Sequence, residues 1–332
     1  MTPLVSSRLP GLAARLVTVG LLVLTTGCKR ENCTSVPTAE SSQTAQGSPE
    51  RLQDAGLDCE RDAERRRPEG LQVATDGGRA EADFACLGRL LAPNTGSPAE
   101  FTMGAHAFAQ TDNQGRPLAV PGLEVQLFDD NRIPDGSRCD TGCTRAEDLG
   151  DGTYRFLAAA EGWLAYRVLE RSAGAMRPAV LRALEVNFVP APGEAFNTVF
   201  EPVLDGLHQA LDLPRDPQRT LLAGRLFDCN GRLVAGATIG LRDARGEKIA
   251  STPITRPIYL GPTGPDLSLA ATTFTGQWSV TNAPVGTGTI VVEARADNGV
   301  VVACELAATA PDAMSVVRLR PLRRDAPAAC TR

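Results

Sequence analysis

The stretch that decides the fold is GQWSVTNAPVGTGTIVV, residues 276–292. It aligns without gaps on GTYRFLAAAEGWLAYRV, residues 152–168. Gly276 matches Gly152, Trp278 matches Tyr154 and Gly286 matches Gly162. Each copy reads as two strands around a turn. Pro284-Val285-Gly286 ends one strand and reverses the chain. Working upstream, GRLVAGATIGL (231–241) repeats GRPLAVPGLEVQL (115–127) with a two-residue insertion, and AGRLF (223–227) repeats LGRLL (87–91). The blocks recur in the same order, so the chain carries one domain twice.

The hydrophobic period within the blocks is that of strands. Ala237, Ile239 and Leu241 alternate with Thr238 and Gly240, and Leu123, Val125 and Leu127 alternate with Glu124 and Gln126. Val300, Val302, Cys304 and Leu306 fall in one phase, with Glu305 opposite. Short strands between Gly, Pro, Asn and Asp turns predict an all-β chain of two tandem transthyretin-like or immunoglobulin-like β-sandwiches. Tyr154 and Trp278, at one repeat position, are expected to fill the two cores. One helix interrupts the pattern: Thr198 with Glu201 reads as a capping box, and Val203, Leu204, Leu207 and Leu211 follow at helical spacing. A helix over 198–212 is expected between the domains, with His208 at the boundary of its apolar face. The Pro-rich LPRDPQ linker follows.

Residues 29–80 are poor in apolar side chains and read as a disordered tether, with the charges around Arg65-Arg66-Arg67 cancelled by neighbouring acids. Ahead of it, Arg8 and Arg15 precede an apolar run from Leu16 to Leu24, too short to span a bilayer and of the length of a signal-peptide core. The expected organisation is a signal peptide over 1–27, a tether over 28–80, a first sandwich over 81–192, and a connecting helix and linker over 193–218. A second sandwich over 219–323 and a tail over 324–332 complete it.

Two resemblances extend this reading. Leu24-Thr25-Thr26-Gly27-Cys28 resembles the bacterial lipobox. The resemblance implies that Cys28 becomes the mature N-terminus, carries lipid (palmitate) and anchors the chain in a membrane. Lys29, following it, implies sorting to the outer membrane. LLAGRLFDCNGRLVAGATIGLRD, followed by TTFTGQWSVTNAPVGTGTIVVEA, resembles the carboxypeptidase regulatory-like domain, a transthyretin-like sandwich. The matching positions are Gly224, the G-x-x-V-x-G-A-x-I block at 231–239 and the T-x-x-G-x-W-x-V-x-N-x-P-x-G block at 273–286. Such domains accompany peptidases, receptors and surface proteins, so the resemblance implies a fold and leaves the activity open.

Composition narrows the function. The formal charge is −5, and loss of Arg8 and Arg15 with the leader makes it −7, which gives no long-range attraction to nucleic acid. There is no Walker loop, HExxH or GxSxG motif, and no cofactor signature. With only His106 and His208, general-base or metal chemistry has little to draw on, and a zinc site is disfavoured. Asp129, Asp130, Asn131 and Asp135 offer hard oxygen ligands, but Gly136 is misplaced for an EF-hand, and a plain acidic loop is favoured. Trp163, Tyr166 and Tyr259 could stack on sugars, yet Trp163 and Tyr166, three apart on a strand, point to opposite faces. The expectation is a non-catalytic binding or structural module with a protein or glycan ligand at the cell envelope. The alternative is an accessory subunit of an envelope hydrolase or of a surface assembly.

Besides Cys28 there are eight cysteines: Cys33, Cys59, Cys86, Cys139, Cys143, Cys229, Cys304 and Cys330. An even number in an exported chain reads as disulfides. Cys229 and Cys304 are the two inside the second sandwich and are taken as partners, with Cys330 as the competitor for either.

Overall fold

The computed structural model describes residues 67–89, 96–129, 131–134, 139, 143–159, 162–174, 178–285 and 290–330. The leader, Cys28, Cys33, Cys59 and the tether up to residue 66 lie outside the described residues, as do Asp130, Asp135, Gly136 and Gly286.

The described chain opens with a hairpin, β1 (Gln72–Thr75) and β2 (Gly78–Glu81). The first sandwich follows. It comprises β3 (Pro98–Thr111), β4 (Pro117–Ala119), β5 (Val125–Phe128), β6 (Thr144–Arg145), β7 (Glu147–Asp148), β8 (Thr153–Ala159), β9 (Leu164–Val168), β10 (Val180–Phe188) and β11 (Ala195–Phe200). After the helix α1 (Glu201–Ala210) comes the second sandwich: β12 (Thr220–Leu226), β13 (Val234–Ala235), β14 (Thr238–Arg242), β15 (Pro257–Gly261), β16 (Gly264–Asp266), β17 (Gln277–Ala283), β18 (Ile290–Arg295), β19 (Val301–Ala307) and β20 (Ala313–Leu319). A 3-10 turn at Ala328–Cys330 closes the described chain.

One long sheet runs through both sandwiches in the order β6-β5-β9-β10-β20-β12-β17-β15-β16. The last strand, β20, lies in its middle, parallel to β10 on one side and to β12 on the other, so that Ala313 faces both Arg182 and Thr220. Side-chain alternation then decides what each sandwich receives. Leu127, Tyr166 and Glu185 share one face with Val316, and the sheet β11-β3-β8-β7 covers that face in the first sandwich. Leu222, Gly224, Leu226, Val317, Leu319 and Trp278 occupy the opposite face, which the sheet β14-β18-β19 covers in the second. The two sandwiches are therefore built on opposite faces of one sheet. Met314 enters the first core, while Val317 and Leu319 enter the second.

The two aromatics at the matched repeat position are both buried, Tyr154 at 0% and Trp278 at 1% exposure. Gly224 sits opposite Trp278 and Val317, and a Cβ there would lie 2.7 Å from the indole and 1.9 Å from the Val317 carbonyl. The glycine is what lets Trp278 pack this closely against β12. Its counterpart in the first sandwich is not the LGRLL segment. Leu87-Gly88-Arg89 forms a turn, and the strand paired with β8 is β3, with Met103 opposite Tyr154.

Three further expectations are corrected. The span read as tether to residue 80 includes the β1–β2 hairpin, which pairs with β13 and places Leu71 and Val73 in the second core. Its apolar residues are few but alternate, and period 2 suffices to dock a short hairpin on an open strand. No capping box forms, because Thr198 belongs to β11 and its hydroxyl donates to the His106 carbonyl; α1 starts instead from Phe200 with Pro202 in its first turn. Leu204, Val203 and Leu207 pack into the first core, and His208 is buried, its Nδ1 donating to the Leu204 carbonyl at 2.9 Å.

The Cys229–Cys304 pairing is also overturned: among the described residues the disulfides are Cys86–Cys229, Cys139–Cys143 and Cys304–Cys330. The cause is a bulge. Ala294 pairs with Ala303 but Arg295 with Val301, so Val302 is the extra residue and both Val302 and Ala303 join the core. That shift of phase turns Cys304 to the other face, against Val291, Ala329 and Cys330. Cys229, past the end of β12, donates its backbone N–H to Asp83 and lies beside Cys86.

Val73 is fully buried in the second core. Val73→Ala is expected to lower stability by about 2 kcal/mol, read from the denaturant midpoint. An unchanged midpoint would show that the hairpin lies outside the cooperative unit.

Candidate functional site

A buried polar cluster lies where β20 joins the two sandwiches, and it is assembled by strand parity. Glu185 points into the first core from β10, level with Tyr166 on β9. It accepts from the Tyr166 hydroxyl at 2.7 Å and from Arg318 Nε at 2.6 Å. Asn197 completes this shell, its backbone N–H donating to the Tyr166 oxygen at 2.8 Å. Arg318 also pairs with Glu194 and stacks on Phe188. Burial pushes the Tyr166 hydroxyl far above its usual range, and the Glu185 carboxylate beside it adds to that. Burial alone would lower Arg318, but Glu185 and Glu194 outweigh it and hold the guanidinium firmly charged. Glu185 and Arg318 thus tie β10 to β20 by a desolvated, fully bonded pair.

A second set crosses the same seam. The pairing of β10 with β9 shifts between Glu185 and Phe188, and Asn187 there takes a left-handed conformation with φ of 58°. Its side chain donates to Glu305 on β19 at 2.7 Å and accepts from Asn131 at 2.6 Å, while its backbone N–H donates to Asn131 at 2.7 Å. Arg323 reaches the same Glu305 carboxyl at 3.3 Å. Burial raises the Glu305 pKa to about 7 against the opposing pull of Arg323 and Arg320. Trp163 lies under these cations, its ring centroid 4.0 Å from the Arg323 guanidinium and 5.1 Å from that of Arg320.

The residues singled out from sequence are not brought together. Asn131 is engaged by Asn187, and Asp129 is exposed. Tyr166 and Tyr259 are buried, and the Tyr259 oxygen accepts from the Ile239 N–H at 2.9 Å. Trp163 stands apart from both, under arginines. Among the described residues no group of three or more His, Cys, Asp or Glu side chains could hold a metal ion. Sequence reasoning missed Glu185, Asn187 and Glu305. Their signal was a charged or amide side chain inside an otherwise apolar strand, as in VLRALEVNF, where burial requires a partner. A cleft of about 200 Å³ opens beside β14 and is lined by Ile239, Leu241, Lys248, Pro257 and Glu293. Glu293 is held there by Arg242 at 2.7 Å and Arg295 at 2.8 Å, and these cations outweigh burial to lower its pKa.

No protein-family model matches the chain, and no curated protein matches it. Among solved structures, the shaft pilin spaA from Lactobacillus rhamnosus GG is 9% identical over 68% of this chain and 98% of its own, with a TM-score of 0.19. The major pilin from Streptococcus pyogenes is 13% identical over 69% of this chain and 99% of its own, with a TM-score of 0.20. A streptococcal ancillary pilin is 10% identical over 69% of each chain, at 0.19. Overlap at this level carries no argument about what the chain does.

Glu305 gives a pH signature. An unfolded glutamate titrates near 4.5 and the folded one near 7, so between those values the folded chain holds a proton that the unfolded chain has lost. Stability therefore falls as pH rises through that window, by on the order of 3 kcal/mol in total. Glu305→Gln is expected to flatten this fall, as read from denaturant midpoints across the pH range. Parallel profiles for the two proteins would show that Glu305 titrates normally.

Proposed function

We propose that this chain is a non-catalytic module of the cell envelope, held to the outer membrane by lipid on Cys28 and presenting two rigidly joined sandwiches. The observation that carries this reading is the shared strand. β20 pairs along β10 and β12 at once, and its one charged side chain, Arg318, is bonded into the seam, so the two sandwiches form one stiff body. A stiff pair of sandwiches suits a spacer or display role. The resemblance of the second sandwich to carboxypeptidase regulatory-like domains supports an extracytoplasmic setting, as do the three disulfides. No helix among the described residues is long and apolar enough to cross a membrane, and the anchor in this reading is lipid.

A second reading, a subunit of a surface assembly, rests on β8. β7 pairs only with Tyr154 and Arg155, so among the described residues Phe156–Ala159 lacks a neighbour on that side, and Leu157 there is 59% exposed. An open strand edge with an exposed leucine can accept a strand from another chain.

The anchor is tested by growing cells with radiolabelled palmitate. Wild-type protein is expected to take up label and partition into detergent, and Cys28→Ser to do neither. Unlabelled wild-type protein, or a mature N-terminus other than Cys28, would sink the reading.

A further inference from the structure

β14 carries one unfilled rung on the edge that faces away from β18. Thr238, Gly240 and Arg242 turn their backbone groups to β18, and Ala237, Ile239 and Leu241 turn theirs to the other edge. The bonds on that edge fix this phase. The Ala237 carbonyl accepts from the Thr272 N–H at 2.9 Å, the Ile239 N–H donates to the Tyr259 hydroxyl at 2.9 Å, and the Leu241 carbonyl accepts from the Ile249 N–H at 2.9 Å. Two groups between them are left over. Among the described residues neither the Ile239 carbonyl nor the Leu241 N–H has a hydrogen-bond partner, although each residue is only 6% exposed. Backbone groups so far withdrawn from water are rarely left unpaired. The cleft of about 200 Å³ runs along this edge, lined by Ile239, Gly240 and Leu241 from β14 and by Lys248, Ile249 and Ser251 from the segment that follows.

The charges at the cleft leave a cation over. Its one carboxylate, Glu293, is held by both Arg242 and Arg295, so that trio is net positive. Glu247 and Asp243, close by in the chain, are both engaged by Arg245. Lys248 is exposed and makes no ion pair among the described residues. A residue laid parallel to β14 and level with Gly240 would donate its N–H to the Ile239 carbonyl and accept from the Leu241 N–H, which is one rung of a parallel ladder. The position after it is closed, because Lys248 pairs with Arg242 and Ile249 holds the Leu241 carbonyl. The position before it is taken by Tyr259 and Thr272, so the preceding residues must leave the edge there. The residue that fills the rung is therefore the last of its chain. Its carboxylate accepts from the Leu241 N–H on the side of the Lys248 ammonium, a form of chain-end capture by backbone donors. Ile249, Pro257 and Val280 make the rest of the cleft apolar. We propose that this notch in β14 binds the carboxyl-terminal end of a peptide that finishes in small apolar residues. This goes beyond the envelope reading and does not depend on the lipid anchor.

The probes are acetyl-trialanine and its carboxyl-terminal amide. The chain has two lysines, Lys29 and Lys248, so protein labelled with 15N at lysine gives two backbone signals. The acid, titrated at constant ionic strength, is expected to move the Lys248 signal saturably and leave that of Lys29 in place. Affinities across variants are read from the anisotropy of trialanine carrying fluorescein on its amino end. The amide is expected to bind about tenfold more weakly than the acid, and Lys248→Gln to bind the acid about tenfold more weakly than the wild type, since one hydrogen bond to a charged group contributes roughly that much. Lys248 is exposed, so its replacement leaves the core untouched, and Lys248→Arg, which keeps the charge, is expected to retain most of the affinity. A Lys248 signal that the acid does not move would overturn the proposal, as would equal binding of the amide or equal binding by Lys248→Gln. Displacement of the fluorescent peptide by acetate as readily as by acetyl-trialanine would overturn the assignment to a peptide end.

Discussion

Parallel pairing of β20 with both β10 and β12 is the constraint from which the rest of the molecule follows. A strand with a neighbour on each side has no free edge, and its alternate residues must satisfy two environments at once. Met314 completes one core, Val317 and Leu319 complete the other, and Arg318 can enter the seam only because Glu185 and Glu194 meet it there. Tandem sandwiches joined by a linker could move independently. Here the backbone hydrogen bonds of a single strand are divided between them, so relative motion would cost ladder bonds as well as apolar contact.

The polar seam sets specificity more than it adds stability. A buried ion pair roughly repays its own desolvation, but removing one partner leaves a stranded charge at a cost of about 3–5 kcal/mol. A register slip of β20 by one residue would turn Arg318 into the second core and present Val317 to Glu185. The Glu185–Arg318 pair therefore opposes wrong registers as effectively as it supports the right one. The Asn131–Asn187–Glu305 chain does the same for the loop after β5 and for β19, fixing elements of both sandwiches to one carboxyl group.

Much of the fold was legible in the repeat. Tyr154 and Trp278 occupy matched core positions, and Gly224 is required by the indole packed on it. Legibility failed where a local pattern met a tertiary one. Thr198 and Glu201 have the spacing of a capping box, yet β3 claims Thr198 as a strand residue. Cys304 has the phase of Val302 by counting, yet a bulge between them reverses it, and no residue type announces that bulge. The seam was invisible for a different reason. Glu185 and Arg318 are 133 residues apart, and Arg318 meets Glu185 only when β10 and β20 share a sheet.

The position of β20 in the chain carries a consequence for biogenesis. It is the last of the described strands in sequence and the central one in the long sheet, and the Cys304–Cys330 bridge encloses it in a covalent ring. Until it arrives, β10 and β12 both lack a neighbour, and the first sandwich lacks Met314. Neither sandwich is complete until this segment has docked. The covalent ring around it forms only where disulfides are permitted. Truncated products would lack the strand common to both halves and would leave two open edges for proteases to find.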